Sequence, residues 1–198
     1  MKKTAVITGV NGQDGSYLSE LLLSKGYRVI GFYRRTSSSR LEKFKNISHL
    51  IGKSDFVLYS GDVTDASSII TAINKFQPDE IYNLAAQSHV GESFNSPIST
   101  MQTNGIGVLN VLEAIKSTNP RIKLYQASTS EMFGDLQAVQ NENTPFNPVS
   151  PYACSKVYAH NIVVNYRKAY NLFACCGILF NHESPRRGED DVTTRRTR

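Results

Sequence analysis

The feature that most constrains this chain is a glycine-rich turn between two apolar patterns near its N-terminus. A β-branched run over residues 5–8 predicts a buried strand, and leucines at helical spacing after residue 17 predict a helix. Between them stand Gly9, Gly12 and Gly15, at three-residue spacing. Such a turn leaves peptide N–H groups bare at a helix N-terminus, which suits a pyrophosphate. The alternative is a simple strand-to-helix turn.

Apolar patterns typical of strands and helices alternate along the whole chain. Strands are predicted at residues 5–8, 27–33, 56–59, 79–86, 122–127 and 173–180. Helices are predicted up to about Gly26, at 66–76 after the N-cap Asp65, at 97–117, and at 151–170 after Ser150 and Pro151. This alternation predicts an α/β fold with a doubly wound parallel sheet of order 3-2-1-4-5-6, the Rossmann arrangement, which binds ligands at the carboxyl ends of its strands.

Two basic residues follow the second strand, where a dinucleotide fold meets the adenosine ribose. An acid there would bind the 2′-hydroxyl of NAD, whereas an arginine accommodates the 2′-phosphate of NADP. Arg34 and Arg35 therefore favour NADP, and the alternative is a solvated basic loop. Asp62, after the third strand, either accepts from the adenine amino group or only forms a turn.

Composition excludes several classes of protein. The 198 residues suffice for one domain with a core, and no apolar run approaches the ~20 residues that span a membrane. The formal charge of +5 is spread out apart from a basic tail, so nucleic-acid binding is not expected. A strand so near the N-terminus leaves no room for a signal peptide. The three cysteines lack metal-ligand spacing and are expected to lie in the core, so they indicate a reducing cytoplasm and no metal site.

The residue pair with the clearest chemistry is Tyr152 and Lys156, which share one face of the last helix. Tyrosine, with a pKa of ~10, becomes a useful base near pH 7 only if its phenolate gains roughly 4 kcal/mol. One cation at ~4 Å supplies about that much at an effective dielectric near 20, and Lys156 is the candidate. The alternative is an ordinary surface pair. Thr129 and Glu131 follow the fifth strand. Thr129 could bind a sugar hydroxyl, and Glu131 could move a proton to and from a carbon atom. The alternative is that both residues only cap a loop.

Together these motifs resemble a known family. Gly9-x-x-Gly12-x-x-Gly15, Gly61-Asp62-Val63, Asn83-Leu-Ala-Ala86 and Tyr152-x-x-x-Lys156 occur in the order of the extended short-chain dehydrogenase/reductases that act on nucleotide sugars. The segments at 8–18, 34–37, 83–90, 126–131 and 178–189 resemble the GDP-mannose 4,6-dehydratase family more closely, and the last, Ile-Leu-Phe-Asn-His-Glu-Ser-Pro-Arg-Arg-Gly-Glu, is the most specific.

The resemblance implies conversion of GDP-mannose to GDP-4-keto-6-deoxymannose and water, with NADP as cofactor. It implies that the catalytic residues are Thr129, Glu131, Tyr152 and Lys156. With the two arginines favoured above, the cofactor-binding residues are expected to be Gly9, Val10, Asn11, Gly12, Gln13, Asp14, Gly15, Arg34, Arg35, Asp62, Val63, Leu84, Ala85, Ala86, Gln87, Ser88, Lys156, His182 and Arg187. Ser88 and Asn181 are the expected substrate contacts. The loop after Arg35 resembles one that reaches a neighbouring subunit's cofactor site, which implies a homo-tetramer.

The resemblance also sets expectations for the domain organisation. Residues 1–180 are expected to form an NADP-binding domain with the catalytic residues, and 181–198 to begin a substrate-binding region that is truncated here. Past Glu189 the sequence follows the family only loosely, and the chain alone is expected to be a weak or inactive catalyst. Three rivals stay open: a UDP-sugar 4-epimerase, which needs no acid at Glu131; a dTDP-glucose 4,6-dehydratase, typically with Asp-Glu at Ser130-Glu131; and a non-catalytic NADP-binding module.

Overall fold

The fold is a parallel six-stranded sheet, and its strand order confirms the prediction. The computed structural model describes residues 2–35, 43–135 and 139–188. The strands are β1 (Thr4–Thr8), β2 (Arg28–Tyr33), β3 (Phe56–Ser60), β4 (Glu80–Asn83), β5 (Lys123–Thr129) and β6 (Ala174–Leu179). They pair in the order β3-β2-β1-β4-β5-β6, with Ala5 of β1 beside Val29 and Glu80. The strand order reverses beside β1, so the carboxyl ends of β1 and β4 flank a crevice suited to a ligand.

Helices cover both faces of this sheet. They are α1 (Gln13–Ser24), α2 (Ala66–Phe76), α3 (Val90–Asn95), α4 (Pro97–Met101), α5 (Gly107–Thr118) and α6 (Pro151–Tyr170). Short 3₁₀ segments span Lys45–Leu50 and Ser130–Phe133. The predicted N-caps of α2 and α6 are confirmed, because the side chains of Asp65 and Ser150 accept from backbone N–H groups of the first turn.

The apolar core has two parts, one on each face of the sheet. Ala5 and Ile7 of β1 pack with Leu22 of α1, whereas Val6 between them packs with Leu112 of α5 on the opposite face. Because side chains alternate along a strand and both faces are covered, β1 is apolar at successive positions. The core therefore holds the strands rigidly, and the carboxyl ends of the strands form the platform for the site.

Four details of the sequence prediction are wrong. The fourth strand ends at Asn83, before the small residues at 84–86, and the fifth runs on to Thr129 because its last residues pair with β6. The helix predicted at 97–117 is divided into α4, a π-helical turn at Gln102–Ile106, and α5. Cys154 and Cys175 are exposed rather than in the core, and only Cys176 is partly buried.

Two searches over the described ranges bear on function. None of the helices there is long and apolar enough to cross a membrane. Within the same ranges, His, Cys, Asp and Glu side chains form no group of three or more that could hold a metal ion.

Candidate functional site

The glycine turn between β1 and α1 has the shape that a dinucleotide phosphate requires. Gly9 has a φ of +66°, and a Cβ there would lie 2.9 Å from the Leu84 carbonyl oxygen. A Cβ on Gly15 would lie 2.4 Å from the Gly9 carbonyl oxygen, so this glycine lets α1 pack against the turn. Gly12 is exposed and a Cβ there would meet only the Gly9 carbonyl, at 3.3 Å, which leaves its outer side open to a ligand.

The N-terminus of α1 is open for an anion. Gly12 is its N-cap and offers no side chain to the N–H groups of the first turn. These groups and the helix dipole together favour a negatively charged ligand. Val10 is fully buried and Val63 is 4% exposed, so little of either predicted contact residue is accessible to a cofactor in this structure. The turn thus fits the pyrophosphate of a dinucleotide.

The segment after β6 folds back over the start of α1. His182 Nε2 lies 2.7 Å from Asp14 Oδ1, and its Nδ1 lies 2.7 Å from the Phe180 carbonyl oxygen. The Phe180 carbonyl and the Asp14 carboxylate both raise the pKa of His182, because each accepts a hydrogen bond from the ring. Ser184 donates to Gln13 Oε1 at 2.8 Å. The structure therefore brings together predicted cofactor residues that are 168 positions apart.

Two arginines of this segment make further contacts, one within the segment and one with α1. Arg187 donates to the His182 carbonyl at 2.6 Å. Arg186, which the sequence analysis did not single out, donates to Glu20 at 2.6 Å and lies 4.0 Å above the ring of Tyr17. Nothing in the sequence indicated that Glu20 and Arg186 form an ion pair, because the two residues are far apart along the chain.

A basic cluster lies at the carboxyl end of β2. Arg34 and Arg35 are exposed, and Lys43 donates to the Arg34 carbonyl. Burial and the charges of both arginines lower the pKa of Lys43. Lys43 is a third cation that sequence spacing did not reveal. The loop that was expected to reach a neighbouring subunit, at residues 36–42, lies outside the described residues.

The loop after β4 is held by side chains from two directions. The Leu84 and Ala85 N–H groups donate to Thr8 Oγ1 at 3.1 and 3.0 Å. Asn104, in the π-helical turn, donates to the Gln87 carbonyl and accepts from the Gln87 N–H, both at 2.9 Å. Gln87 Oε1 is buried and, within the described ranges, has no hydrogen-bond partner. A ligand donor would satisfy it.

The remaining predicted nucleotide and substrate residues are less constrained. Asp62 Oδ1 accepts from the Thr64 N–H at 2.9 Å, so Asp62 does form a turn, and its adenine contact stays a prediction. Ala86 is half-buried, whereas Ser88 and Asn181 are exposed. Asn11 donates to the Lys43 carbonyl at 3.2 Å, which attaches the glycine turn to the segment bearing the basic cluster.

Lys156 is buried beside the carboxyl end of β5. Its side chain is 4% exposed, and its Nζ donates to the Ala127 carbonyl at 3.0 Å. The Nζ lies 5.8 Å from the ring centroid of Tyr152, which is also buried. Burial lowers the pKa of Lys156 to about 8, so the ammonium form predominates near pH 7. The pair is therefore not the ordinary surface pair that the sequence left open.

Thr129 and Glu131 lie at the end of the same strand. Thr129 is the last residue of β5, and its Oγ1 accepts from the Glu131 N–H at 3.2 Å. This contact caps the 3₁₀ segment that begins at Ser130, as the loop-capping alternative proposed. It also leaves the Thr129 hydroxyl hydrogen available to another acceptor.

Comparison with known proteins identifies the family. The family model described as GDP-mannose 4,6 dehydratase matches residues 6–198. The chain belongs to the GDP-mannose 4,6-dehydratase family. It is 52% identical over 203 residues to a GDP-mannose 4,6-dehydratase from Vibrio cholerae, a match that covers 100% of this chain and 55% of that protein. It is also 52% identical over 204 residues to GDP-mannose 4,6 dehydratase 1 from Arabidopsis thaliana, covering 100% of this chain and 56% of that protein.

Solved structures agree with the fold of this dehydratase-family chain. The dTDP-glucose 4,6-dehydratase from Bacillus anthracis in complex with NAD has a TM-score of 0.83 and 28% identity, covering 96% of this chain and 58% of that one. The Thermus thermophilus UDP-glucose 4-epimerase complex with NAD has a TM-score of 0.83 and 26% identity, with the same coverages. The chain spans about half the length of the curated relatives it matches.

Proposed function

We propose that the protein to which this chain belongs is an NADP-dependent GDP-mannose 4,6-dehydratase. The observation that supports this most is the buried pair of Tyr152 and Lys156 beside β5, with Thr129 and Glu131 at the end of that strand. Membership of the family supplies the substrate, because its curated members carry this name at 52% identity. The overall reaction is redox-neutral: C4 is oxidised to a ketone, C6 is reduced to a methyl group, and the C6 hydroxyl leaves as water with the C5 proton.

Tyr152 takes the proton of the sugar 4-hydroxyl, and Lys156 makes it able to do so. The Nζ lies 5.8 Å from the centroid of the Tyr152 ring, and at an effective dielectric near 20 a positive charge about 6 Å from a negative one stabilises it by about 3 kcal/mol. Because the pKa of Lys156 is about 8, roughly nine-tenths of the lysine is charged at pH 7. The remaining stabilisation would come from a second positive charge, which an oxidised nicotinamide would supply when bound.

Glu131 removes the proton at C5 once C4 is a ketone, and the resulting acid protonates the departing 6-hydroxyl. Thr129 donates its hydroxyl hydrogen to the sugar 4-oxygen and so orients the ring. A positioned base of this kind contributes about 10²–10⁴-fold to a rate. Oxidation at C4 needs Tyr152 and Lys156 but no carboxylate, and this difference separates the two steps experimentally.

The residues of the glycine turn and the loop at 84–88 fit a dinucleotide, and the basic cluster favours NADP. The uncapped N-terminus of α1 suits its pyrophosphate, and Arg34, Arg35 and Lys43 suit a 2′-phosphate. The mutual repulsion of these three cations is relieved when an anion binds between them. The chemistry supplied by bound NADP is the removal of hydrogen from C4 and its return at C6, so that the cofactor is regenerated.

The test compares Glu131→Gln with Tyr152→Phe in the natural full-length protein. With GDP-mannose and NADP in a single turnover, Glu131→Gln should lose product by about 10²–10⁴-fold yet still generate NADPH absorbance. Tyr152→Phe should lose both signals. Asp55→Asn, which removes an exposed carboxylate before β3, serves as the control and should match the parent.

Three outcomes would contradict the proposal. Product formation by Glu131→Gln at the parent rate would exclude Glu131 as the C5 base. A parent that epimerises UDP-sugars and leaves GDP-mannose unchanged would favour the 4-epimerase. A parent that binds NADP without turning over any of these sugars would favour the non-catalytic module.

A further inference from the structure

A chain of buried polar side chains runs from the carboxyl ends of β1 and β4 to the middle of β5. Thr8, Asn83 and Gln126 come from these three strands in turn, and each is 3% exposed or less. Thr8 Oγ1 donates to Asn83 Oδ1 at 2.5 Å, and Asn83 Nδ2 donates to Gln126 Oε1 at 2.7 Å. Polar side chains are uncommon in the middle of a parallel sheet that is covered on both faces.

The donors at one end fix the direction of the whole chain. The Leu84 and Ala85 N–H groups can only donate, so Thr8 Oγ1 accepts from them and gives its own hydrogen to Asn83. The Asn83 amide nitrogen must then face Gln126. Every polar group along this path has a partner, which is the condition under which a buried network specifies one geometry.

The other end of the chain reaches the buried lysine. Gln126 Nε2 donates to the Ala127 carbonyl at 2.9 Å, and Lys156 Nζ donates to the same oxygen at 3.0 Å. The Ala127 carbonyl therefore accepts a hydrogen bond from the Lys156 ammonium as well as one from Gln126. Its orientation is therefore shared between an amide that belongs to the network and the lysine beside Tyr152.

We propose that Asn83 and Gln126 are positioning residues. They hold the Ala127 carbonyl, and through it the Lys156 ammonium, at a fixed position relative to residues 84–85 of the loop after β4. This inference rests on the proposed function, which assigns Lys156 to the phenolate, and on the expectation from the family resemblance that Lys156 also contacts the cofactor. Neither amide needs to touch a ligand. Their effect on a ligand passes through Lys156, and this is what distinguishes positioning from general stability.

The test is a double-mutant cycle on cofactor binding in the natural full-length protein. Gln126→Met keeps the side-chain shape and removes both of its hydrogen bonds. It should raise the dissociation constant for NADP by roughly threefold to tenfold, the range for one lost hydrogen bond. In a Lys156→Met background the same substitution should have almost no further effect, because the group through which it acts is gone. Isothermal titration calorimetry measures all four dissociation constants.

Two companion variants separate positioning from folding. Asn83→Leu combined with Gln126→Met removes both amides together, so fewer buried groups lose a partner and the fold should be better retained than with either change alone. It should still show the Lys156-dependent loss of affinity. Thr100→Val removes a buried hydroxyl of α4 that donates to Ser96 instead, and should leave the dissociation constant unchanged.

Equal losses of affinity in the Lys156 and Lys156→Met backgrounds would overturn the inference, and so would no loss in either. NAD is titrated in parallel, so the double-mutant cycle can still be measured if the protein binds NAD rather than NADP. The cycle needs no turnover, whereas GDP-mannose turnover by the parent tests the proposed function separately. A parent that binds neither dinucleotide would refute the proposed cofactor and this inference together, whereas binding with additive losses would refute the inference alone.

Discussion

Lys156 should give the protein a stability that rises with pH in a defined window. Its pKa falls from 10.5 to about 8 on folding because the side chain is buried. This change corresponds to roughly 3 kcal/mol of preference for the neutral amine. Below about pH 8 both the folded and the unfolded chain hold the proton, and the full cost of the buried charge is present. Between about pH 8 and 10.5 only the unfolded chain binds it, so the free energy of unfolding increases with pH.

The perturbation that isolates this effect is Lys156→Met, which keeps the length of the side chain and removes the charge. Subtracting the variant cancels the titration of every other group that behaves alike in both proteins. From pH 7.5 to 9.5 the parent should gain about 2 kcal/mol of unfolding free energy relative to Lys156→Met. Urea unfolding at several pH values in this range measures the difference.

The exposed lysine of the same helix provides the control. Lys168→Met should give a curve parallel to that of the parent, because Lys168 lies at the surface of α6. Parallel curves for Lys156→Met would show that folding does not lower the pKa of Lys156, and the reasoning from its burial would then be refuted.

Two further predictions concern the nucleotide end of the site. NADP should bind about tenfold to a hundredfold more tightly than NAD, which is the range for one or two charge-assisted contacts. Lys43→Met should reduce the ratio of the two dissociation constants several-fold, whereas Lys45→Met, at an exposed position, should leave that ratio unchanged. Titration calorimetry measures both constants. Gly15→Ala should destabilise the fold by roughly 1–3 kcal/mol, because its Cβ would lie 2.4 Å from the Gly9 carbonyl oxygen. Gly12→Ala should instead keep the unfolding temperature and lose affinity for the dinucleotide; equal thermal shifts for the two variants would refute this division of roles.

Local sequence signals predicted the parts of the fold that local physics determines. The strand order follows from six alternating apolar runs, and the caps at Asp65 and Ser150 follow from side chains that satisfy N–H groups two or three residues away. The outcome at the end of β5 was different. Ser128 and Thr129 are polar and resemble loop residues, but pairing with Ile178 and Leu179 extends the strand through them. Tertiary pairing decided their structure, and no local pattern contains that information.

The π-helical turn at Gln102–Ile106 was missed for a similar reason. The turn consists mainly of small and polar residues that precede the apolar positions of α5, and such residues do not by themselves indicate a change of helix type. The physical correlate is a long-range contact: Asn104 is 1% exposed and binds both backbone polar groups of Gln87. Such turns are frequent at functional sites. A buried asparagine within an apolar helix was the one sequence signal that could have revealed the turn.

The candidate site collects the features that cost the fold stability. The α1 N-terminus lacks a side-chain cap, Lys156 is buried with a lowered pKa, and Gln87 Oε1 is buried without a partner among the described residues. A fold optimised for stability alone would avoid all three, since each opposes a rule that holds elsewhere in the same chain. All three features belong to elements at the carboxyl ends of the central strands. A bound dinucleotide would supply an anion to the helix and a donor to the amide oxygen, and a Tyr152 phenolate would supply negative charge beside the lysine, so the proposed function accounts for all three costs.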